Sequence, residues 1–382
     1  MQVNMSCGCF GSLLSKKKHP PQSQLDMGGL PSNKKIKLFS YIELKSATDS
    51  FRPRNKIGRG GFGTVYKGTL TNGEAVAVKV LSAESRQGLK EFLTEIDTIT
   101  NVRHPNLVEL IGCCVEGSNR ILVYEYVENN SLDRALLGPN SDTTKMNWAT
   151  RSAICLGTAR GLAYLHEELE PPIVHRDIKA SNVLLDRDYV PKIGDFGLAK
   201  LFPDNVTHIS TRVAGTTGYL APEYALHGQL TKKADVYSFG VLVLEIISGR
   251  SSSKTVWSEM GKYILEWTWH LYEQGRLKEL VDPALEEYPE DEVVRYMKVA
   301  LFCTQAASVR RPSASQVVEM LSRPIRLNEK ELTPPGYMED STRMSMGSKA
   351  TNSSNLAFKD SSRIDSTLFT SNPVSYSEIV PR

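Results

Sequence analysis

An α+β fold in two lobes, a small β-rich one followed by a larger, mostly helical one, is what this sequence predicts. Two patterning observations carry that expectation. Up to Tyr126 the apolar residues fall in short β-type runs around a single amphipathic segment. Past Asn130 they recur mostly at helical spacing. The third observation is chemical: His175-Arg176-Asp177-Ile178-Lys179-Ala180-Ser181-Asn182 is followed thirteen residues later by Asp195-Phe196-Gly197. Asp and Asn are common in turns, but turn formation does not require this whole set at these spacings.

Taken in order, residues 56–66 and 75–80 read as two strands. A glycine loop at 58–63 interrupts the first, and Thr71-Asn72-Gly73 supplies a turn before the second. A helix is predicted over 89–100, where Leu89, Phe92, Leu93, Ile96 and Ile99 share helical spacing. Residues 108–115 and 121–126 look like further strands, and 148–166, 233–248 and 292–303 are the clearest helices. No internal repeat is visible. The longest apolar stretch, 236–247, is interrupted by Glu245 and is too short to span a bilayer.

Composition divides the chain into three. Residues 1–38 are rich in Lys, Ser, Gly and Pro, lack periodicity and read as disordered. Residues 39–323 hold the dense apolar patterning, with a lobe boundary between about 51–126 and about 128–323. From 324 to 382 the pattern dissolves; 15 of the 44 residues from Glu339 onward are Ser or Thr, which again reads as disorder. The net charge of +3 is uneven, since residues 1–38 carry six lysines against Asp26 and the remainder sums to −2. That balance gives nucleic-acid binding by the main domain no support. The six cysteines show neither a paired framework nor metal spacing, which points to a reducing, intracellular compartment. Without a basic n-region or a long apolar run at the start, no secretory signal is read, and the expected location is the cytosol.

The segment Ile57-Gly58-Arg59-Gly60-Gly61-Phe62-Gly63-Thr64-Val65 lets backbone amides approach phosphates closely. Alone it is equally a hairpin turn; leading into the β-type run Thr64-Val65-Tyr66, it does not fit a dinucleotide fold. Lys79 closes an apolar strand, and a buried ammonium needs anionic partners. Glu95, beside Ile96, is placed at the buried edge of the following helix, whereas Glu91 is expected to face solvent. Together with Asp177, Asn182 and Asp195 these residues bring to one volume the charges that phosphoryl transfer requires.

With these motifs in hand, the chain resembles a eukaryotic protein kinase, and over 39–323 the plant receptor-like kinase branch. Phe39-Ser40-Tyr41-Ile42-Glu43-Leu44, Leu122-Val123-Tyr124-Glu125-Tyr126 and Gly215-Thr216-Thr217-Gly218-Tyr219-Leu220-Ala221-Pro222-Glu223 carry the branch-level likeness. With no ectodomain or membrane span in view, it looks like a receptor-like cytoplasmic kinase. The resemblance implies a two-lobed kinase fold, ATP, and magnesium or manganese. It makes Asp177 the acceptor of the substrate hydroxyl's proton, Lys179 its catalytic partner, and Asn182 and Asp195 the metal ligands. The implied nucleotide site comprises Ile57, Gly58, Gly60, Gly63 and Val65 in the loop, then Ala77, Lys79 and Glu95. Glu125 and Val127 complete it through backbone hydrogen bonds to adenine, beside Tyr124 as gatekeeper. Asp235 would anchor the catalytic loop, with a plain helix cap as the bland alternative, and Arg311 would pair with Glu223. Lys179 and Thr216 resemble the serine/threonine form, so protein serines and threonines are the implied acceptors.

Arg176 suggests control by a phosphate on the activation segment, where Thr207, Ser210, Thr211, Thr216 and Thr217 are available. Ser210 and Thr211 are favoured, and Thr216 is expected in the catalytic machinery itself. At the N-terminus, Gln2 removes the glycine that N-myristoylation needs. Two readings stay open there: S-acylation at Cys7 and Cys9 with Lys16, Lys17 and Lys18 at the cytoplasmic face of the plasma membrane, or a free solvated tail. Membrane receptor kinases are the expected signalling partners. A nucleotide-binding scaffold and a passive phosphorylated adaptor are the competing functions. The full set Lys79, Glu95, Asp177, Asn182 and Asp195 favours the enzyme.

Overall fold

The computed structural model describes residues 36–60, 63–81, 86–100, 102–138, 146–203, 206–252 and 263–336. The chain divides into Met1–Lys34, outside the described residues, and Lys35–Arg382. Among the described residues of the second unit, β1 (Lys37–Leu38), β2 (Lys56–Gly60), β3 (Gly63–Thr69), β4 (Ala75–Leu81), β5 (Leu110–Glu116) and β6 (Asn119–Glu125) form one sheet. Its order is β1-β5-β6-β4-β3-β2, antiparallel except for the β1–β5 pair. The helices α1 (Tyr41–Ala47) and α2 (Arg86–Ile99) complete this lobe. The β3–β4 turn falls at Thr71-Asn72-Gly73 as expected, with the Glu74 amide donating to Asn72 Oδ1 at 3.1 Å.

The second lobe is helical. It contains α3 (Leu132–Leu137), α4 (Trp148–Ala163), α5 (Pro222–His227), α6 (Lys232–Ser248), α7 (Ile264–Glu273), α8 (Glu290–Cys303) and α9 (Ala314–Ser322). Short pairs support its loops: β8 (Val183–Leu185) with β9 (Pro191–Ile193), β10 (Lys200–Leu201) with β7 (Ile173–Val174), and β11 (Ile209–Ser210) with β12 (Gln229–Leu230). The apolar stretch 236–247 lies inside α6, buried on every face from Ala234 to Ser248. A helix apolar all round belongs in a core, and α4 and α8 pack against this one. Thr231 caps it through the Lys233 amide, and Asn147 caps α4 through that of Thr150. No helix among the described residues is long and apolar enough to cross a membrane.

Ordered backbone reaches past both compositional boundaries. Lys37–Leu38, placed in the disordered segment, runs parallel to β5, and Phe39 and Leu44 are buried in the sheet's core cluster. Residues 324–336, placed in the disordered tail, are held by backbone. The Gly336 amide donates to Thr304 O at 3.1 Å, the Tyr237 hydroxyl donates to Gly336 O, and Gln305 bridges to Pro335. Such anchoring leaves no apolar signature, so composition does not report it.

Candidate active site

Lys79 sits mid-register in β4, opposite Val65 on β3 and Leu122 on β6. That position aims its ammonium at α2, where Nζ lies 2.7 Å from Glu95 Oε1, and at the turn after β9, where it lies 2.8 Å from Asp195 Oδ1. Burial alone would lower the Lys79 pKa, but the Asp195 and Glu95 carboxylates raise it, so the lysine stays charged. Burial likewise works to raise Asp195, yet Lys79 holds that carboxyl below its usual range. Glu95 is fully buried, and its second oxygen accepts from the Tyr124 hydroxyl on β6.

Glu91 does not face solvent as expected; it is 1% exposed. One turn before Glu95, it lies on the face of α2 turned toward the Asp195 segment. Gly197 makes the room, since a Cβ there would stand 3.1 Å from Glu91 Cγ. Gln87 reaches Glu91 Oε1 at 3.5 Å, while Oε2 has no hydrogen-bond partner. Burial, with Asp195 and Glu95 nearby, pushes the carboxyl up to about 8, against the pull of Lys79. Leu89 and Leu93 are the residues that turn outward, at 37% and 50% exposure. The apolar pattern therefore identified the helix and, through Phe92, Ile96 and Ile99, the centre of its buried face, but not that the face extends to Glu91 rather than to Leu89 and Leu93.

The loop at 175–182 is held from below. Asp235, fully buried near the start of α6, accepts from the His175 amide (2.7 Å), the Arg176 amide (2.8 Å) and His166 Nε2 (2.9 Å). This goes well beyond a helix cap. Burial would raise Asp235, but these hydrogen bonds and the two imidazoles hold it low. His175 Nδ1 accepts from the Asp177 amide, so its Nε2–H donates to Gly194 O at 3.0 Å.

Around Asp177 the loop closes on itself. Asp177 Oδ1 accepts from Thr216 Oγ1 at 2.7 Å, and Oδ2 accepts from Asn182 Nδ2 at 3.0 Å and lies 2.8 Å from Lys179 Nζ. Lys179 Nζ also donates to Thr216 Oγ1 at 2.8 Å. The Asn182 carbonyl accepts from the Gly194 amide, tying this loop to the Asp195 turn. Asp195 has a left-handed backbone (φ 61°), and Phe196 beside it is buried edge-on against His175. The donor set suits a hard cation. Asn182 spends both Nδ2 bonds on Asp177, leaving Oδ1 as its acceptor, and the Asp195 side chain is 41% exposed beside Lys79. One carboxylate and one amide oxygen, with phosphate and water oxygens, are what magnesium usually takes.

The remaining expected residues divide. In the glycine loop, Gly58 and Gly60 pair with β3, whereas Gly63 is required by the sheet itself, since a Cβ would lie 2.3 Å from Val80 O. Ile57 and Val65 lie on β2 and β3, and Ala77 lies on β4 opposite Tyr124. Glu125 ends β6, and its side chain is already engaged by the Glu109 amide and Lys192; Val127 follows it, buried. On the activation segment Ser210 pairs with Gln229, and Thr207 and Ser210 are exposed. Thr216 is with Asp177 and Lys179 instead. Arg311 grips Glu223 through two hydrogen bonds, at 2.6 and 2.8 Å. Cys7 and Cys9 lie outside the described residues. The sequence reading missed His166, Tyr224 and the burial of Glu91. Only Tyr224 carried a signal, its place next to Glu223.

Residues 51–321 match the family model described as protein tyrosine and serine/threonine kinase. The chain is 55% identical over 308 residues to cold-responsive protein kinase 1 of Arabidopsis thaliana, covering 80% of this chain and 79% of that protein. It is 56% identical over 302 residues to a probable leucine-rich-repeat receptor-like serine/threonine-protein kinase of the same plant. That match covers 79% of this chain but only 29% of the relative. The chain belongs to the protein kinase family, as a serine/threonine protein kinase.

Proposed function

We propose that this kinase transfers the γ-phosphoryl group of ATP to serines or threonines of intracellular proteins through the residues around Asp177 and Lys79. The observation that carries the reading is the meeting of Lys79, Glu95 and Asp195, which are 16 and 116 residues from Lys79 in sequence, at 2.7 and 2.8 Å. Magnesium-ATP, when bound, supplies the phosphoryl group and neutralises its developing charge. Lys79, kept charged by its two carboxylates, holds the α- and β-phosphates, with the amides of Gly58, Gly60 and Gly63 above them. Asn182 and Asp195 offer the metal their oxygens. Asp177 orients the acceptor hydroxyl and takes its proton, and Lys179, bridging Asp177 and Thr216, steadies the negative charge that forms. Ile57, Val65 and Ala77 line the adenine side, with Glu125 and Val127 giving backbone contacts.

Activity is further proposed to rise with phosphorylation of Ser210 or Thr211, in a cytosolic protein acting beside membrane receptor kinases. S-acylation at Cys7 and Cys9 would bring it to the membrane face. The deciding experiment is autophosphorylation of the purified protein with magnesium-ATP, beside Asp195→Asn. Incorporation by the wild type alone is expected; equal incorporation by both proteins overturns the reading and leaves a scaffold.

A further inference from the structure

The Arg176 backbone is left-handed (φ 71°), a conformation costly for a branched-chain or long side chain unless the surroundings enforce it. Asp235 holds its amide. Among the described residues, however, the guanidinium forms no ion pair with an acid. Nε and Nη2 donate to the Tyr224 hydroxyl at 3.0 and 2.5 Å, Nη1 donates to Leu198 O at 3.0 Å, and Nη2 donates to Arg212 O at 2.9 Å. The surroundings hold a surplus of positive charge: burial, then Arg176 and Lys90, lower the pKa of Lys200.

Tyr224 is the meeting point. It is 1% exposed at the third position of α5, and its phenolic oxygen also accepts from the Ala214 amide at 3.0 Å and donates to Arg212 O at 3.2 Å. One oxygen thus joins the catalytic loop (Arg176) to both sides of the activation segment's last turn (Arg212, Ala214), two residues before Thr216, which touches Asp177. A neutral hydroxyl satisfies a guanidinium less well than an ionised group does, so a phosphate arriving nearby competes with it on favourable terms.

We propose that Tyr224 is a positioning residue that holds Arg176, and through it the loop carrying Asp177, in working geometry before any phosphate reaches the activation segment. This rests on the kinase reading above and adds to it a source of basal, phosphate-independent turnover. The ring packs in the core, so Tyr224→Phe removes the oxygen and leaves the packing.

The test is a double-mutant cycle on phosphatase-treated, full-length protein: wild type, Tyr224→Phe, Arg176→Ala and the pair. It is read as initial phosphoryl transfer and as melting temperature. Tyr224→Phe is expected to lower kcat about tenfold with KM for ATP changed less than twofold. In the Arg176→Ala background the same change is expected to cost less than twofold further, and the melting-temperature losses should overlap in the same way. Equal turnover of Tyr224→Phe and wild type, or losses that multiply in activity and add in melting temperature, overturn the proposal. A phosphatase-treated wild type without phosphoryl transfer also overturns the proposed basal turnover, whereas absence of transfer by the untreated protein as well sinks the kinase reading.

Discussion

Two buried ionic clusters serve opposite ends in this molecule. At the base of the helical lobe, Arg311 is 1% exposed and fully engaged: both nitrogens of its fork meet Glu223, Nε donates to Gln305 O, and further bonds reach Lys233 O and Ala306 O. Charges are matched and donors used, so the cluster has no capacity left for a ligand. Around Lys79 the accounting is deliberately incomplete. Two carboxylates (Glu95 and Asp195) meet one ammonium, the buried carboxyl of Glu91 nearby has one oxygen without a partner, and Asp195 stays partly exposed. A closed cluster fixes two elements together, whereas an open one is poised to receive cations and phosphates.

That contrast breaks most visibly at the catalytic loop. Asp177→Asn should lower phosphoryl transfer by about 10²–10⁴-fold, measured as initial rate on a protein substrate. Its melting temperature should move by only ~2 °C, since asparagine keeps the shape of this buried side chain and one oxygen to accept from its partners. Glu223→Ala should do the reverse. Stranding a buried guanidinium costs about 3–5 kcal/mol, seen as a drop of roughly 10 °C in calorimetry, with turnover per folded molecule much less affected.

A smaller effect lies between the two clusters' extremes. Tyr124→Phe withdraws the hydroxyl from Glu95 and should destabilise by about 1.5–3 kcal/mol, the range for a hydrogen bond to a charged group, measured by urea denaturation. The smallest effect sharpens the comparison through pH. Glu91, pushed up to about 8, keeps its proton in the folded protein after the unfolded chain has lost it. Stability from this group is therefore complete below about 4.5 and declines as pH rises to 8. Glu91→Gln should leave the melting temperature unchanged at pH 5 and raise it by ~3 °C at pH 8. An identical pH profile for the two proteins would show that Glu91 is charged throughout.

Much of this was legible in the sequence where a local rule applied. The strands around Lys79 and the helices centred on Trp148 and Phe239 follow from periodicity. The helix starts fall within one residue of the expected positions, at the caps Asn147 and Thr231, and only the end of the first moves, where the chain passes into a wider turn from Tyr164. Lys79 was legible because an ammonium closing an apolar strand needs anionic partners, Glu95 from its place beside Ile96, and Asp177 and Asp195 from motifs whose spacing resembles that of a protein kinase. What was not legible depends on contacts between distant segments. Glu91 reads as a surface residue until Gly197 is folded against it, and Tyr224 reads as one more core aromatic until its oxygen meets Arg176. The short α1, α3 and α5 and the strand at Lys37–Leu38 are too brief for a periodic signal and are fixed by their partners.

By itself, then, the sequence determined the class of fold, the chemistry and the serine/threonine form of its catalytic loop, because residue types at fixed spacing constrain which charges can share a site. The tertiary structure alone decided that Glu91 is buried beside Glu95, and where the guanidinium of Arg176 finds acceptors. It also decided how far ordered backbone extends beyond the apolar pattern. The physical reason is the same in each case. Burial of a polar group is set by what packs against it from elsewhere in the chain, and spacing along the chain does not carry that information.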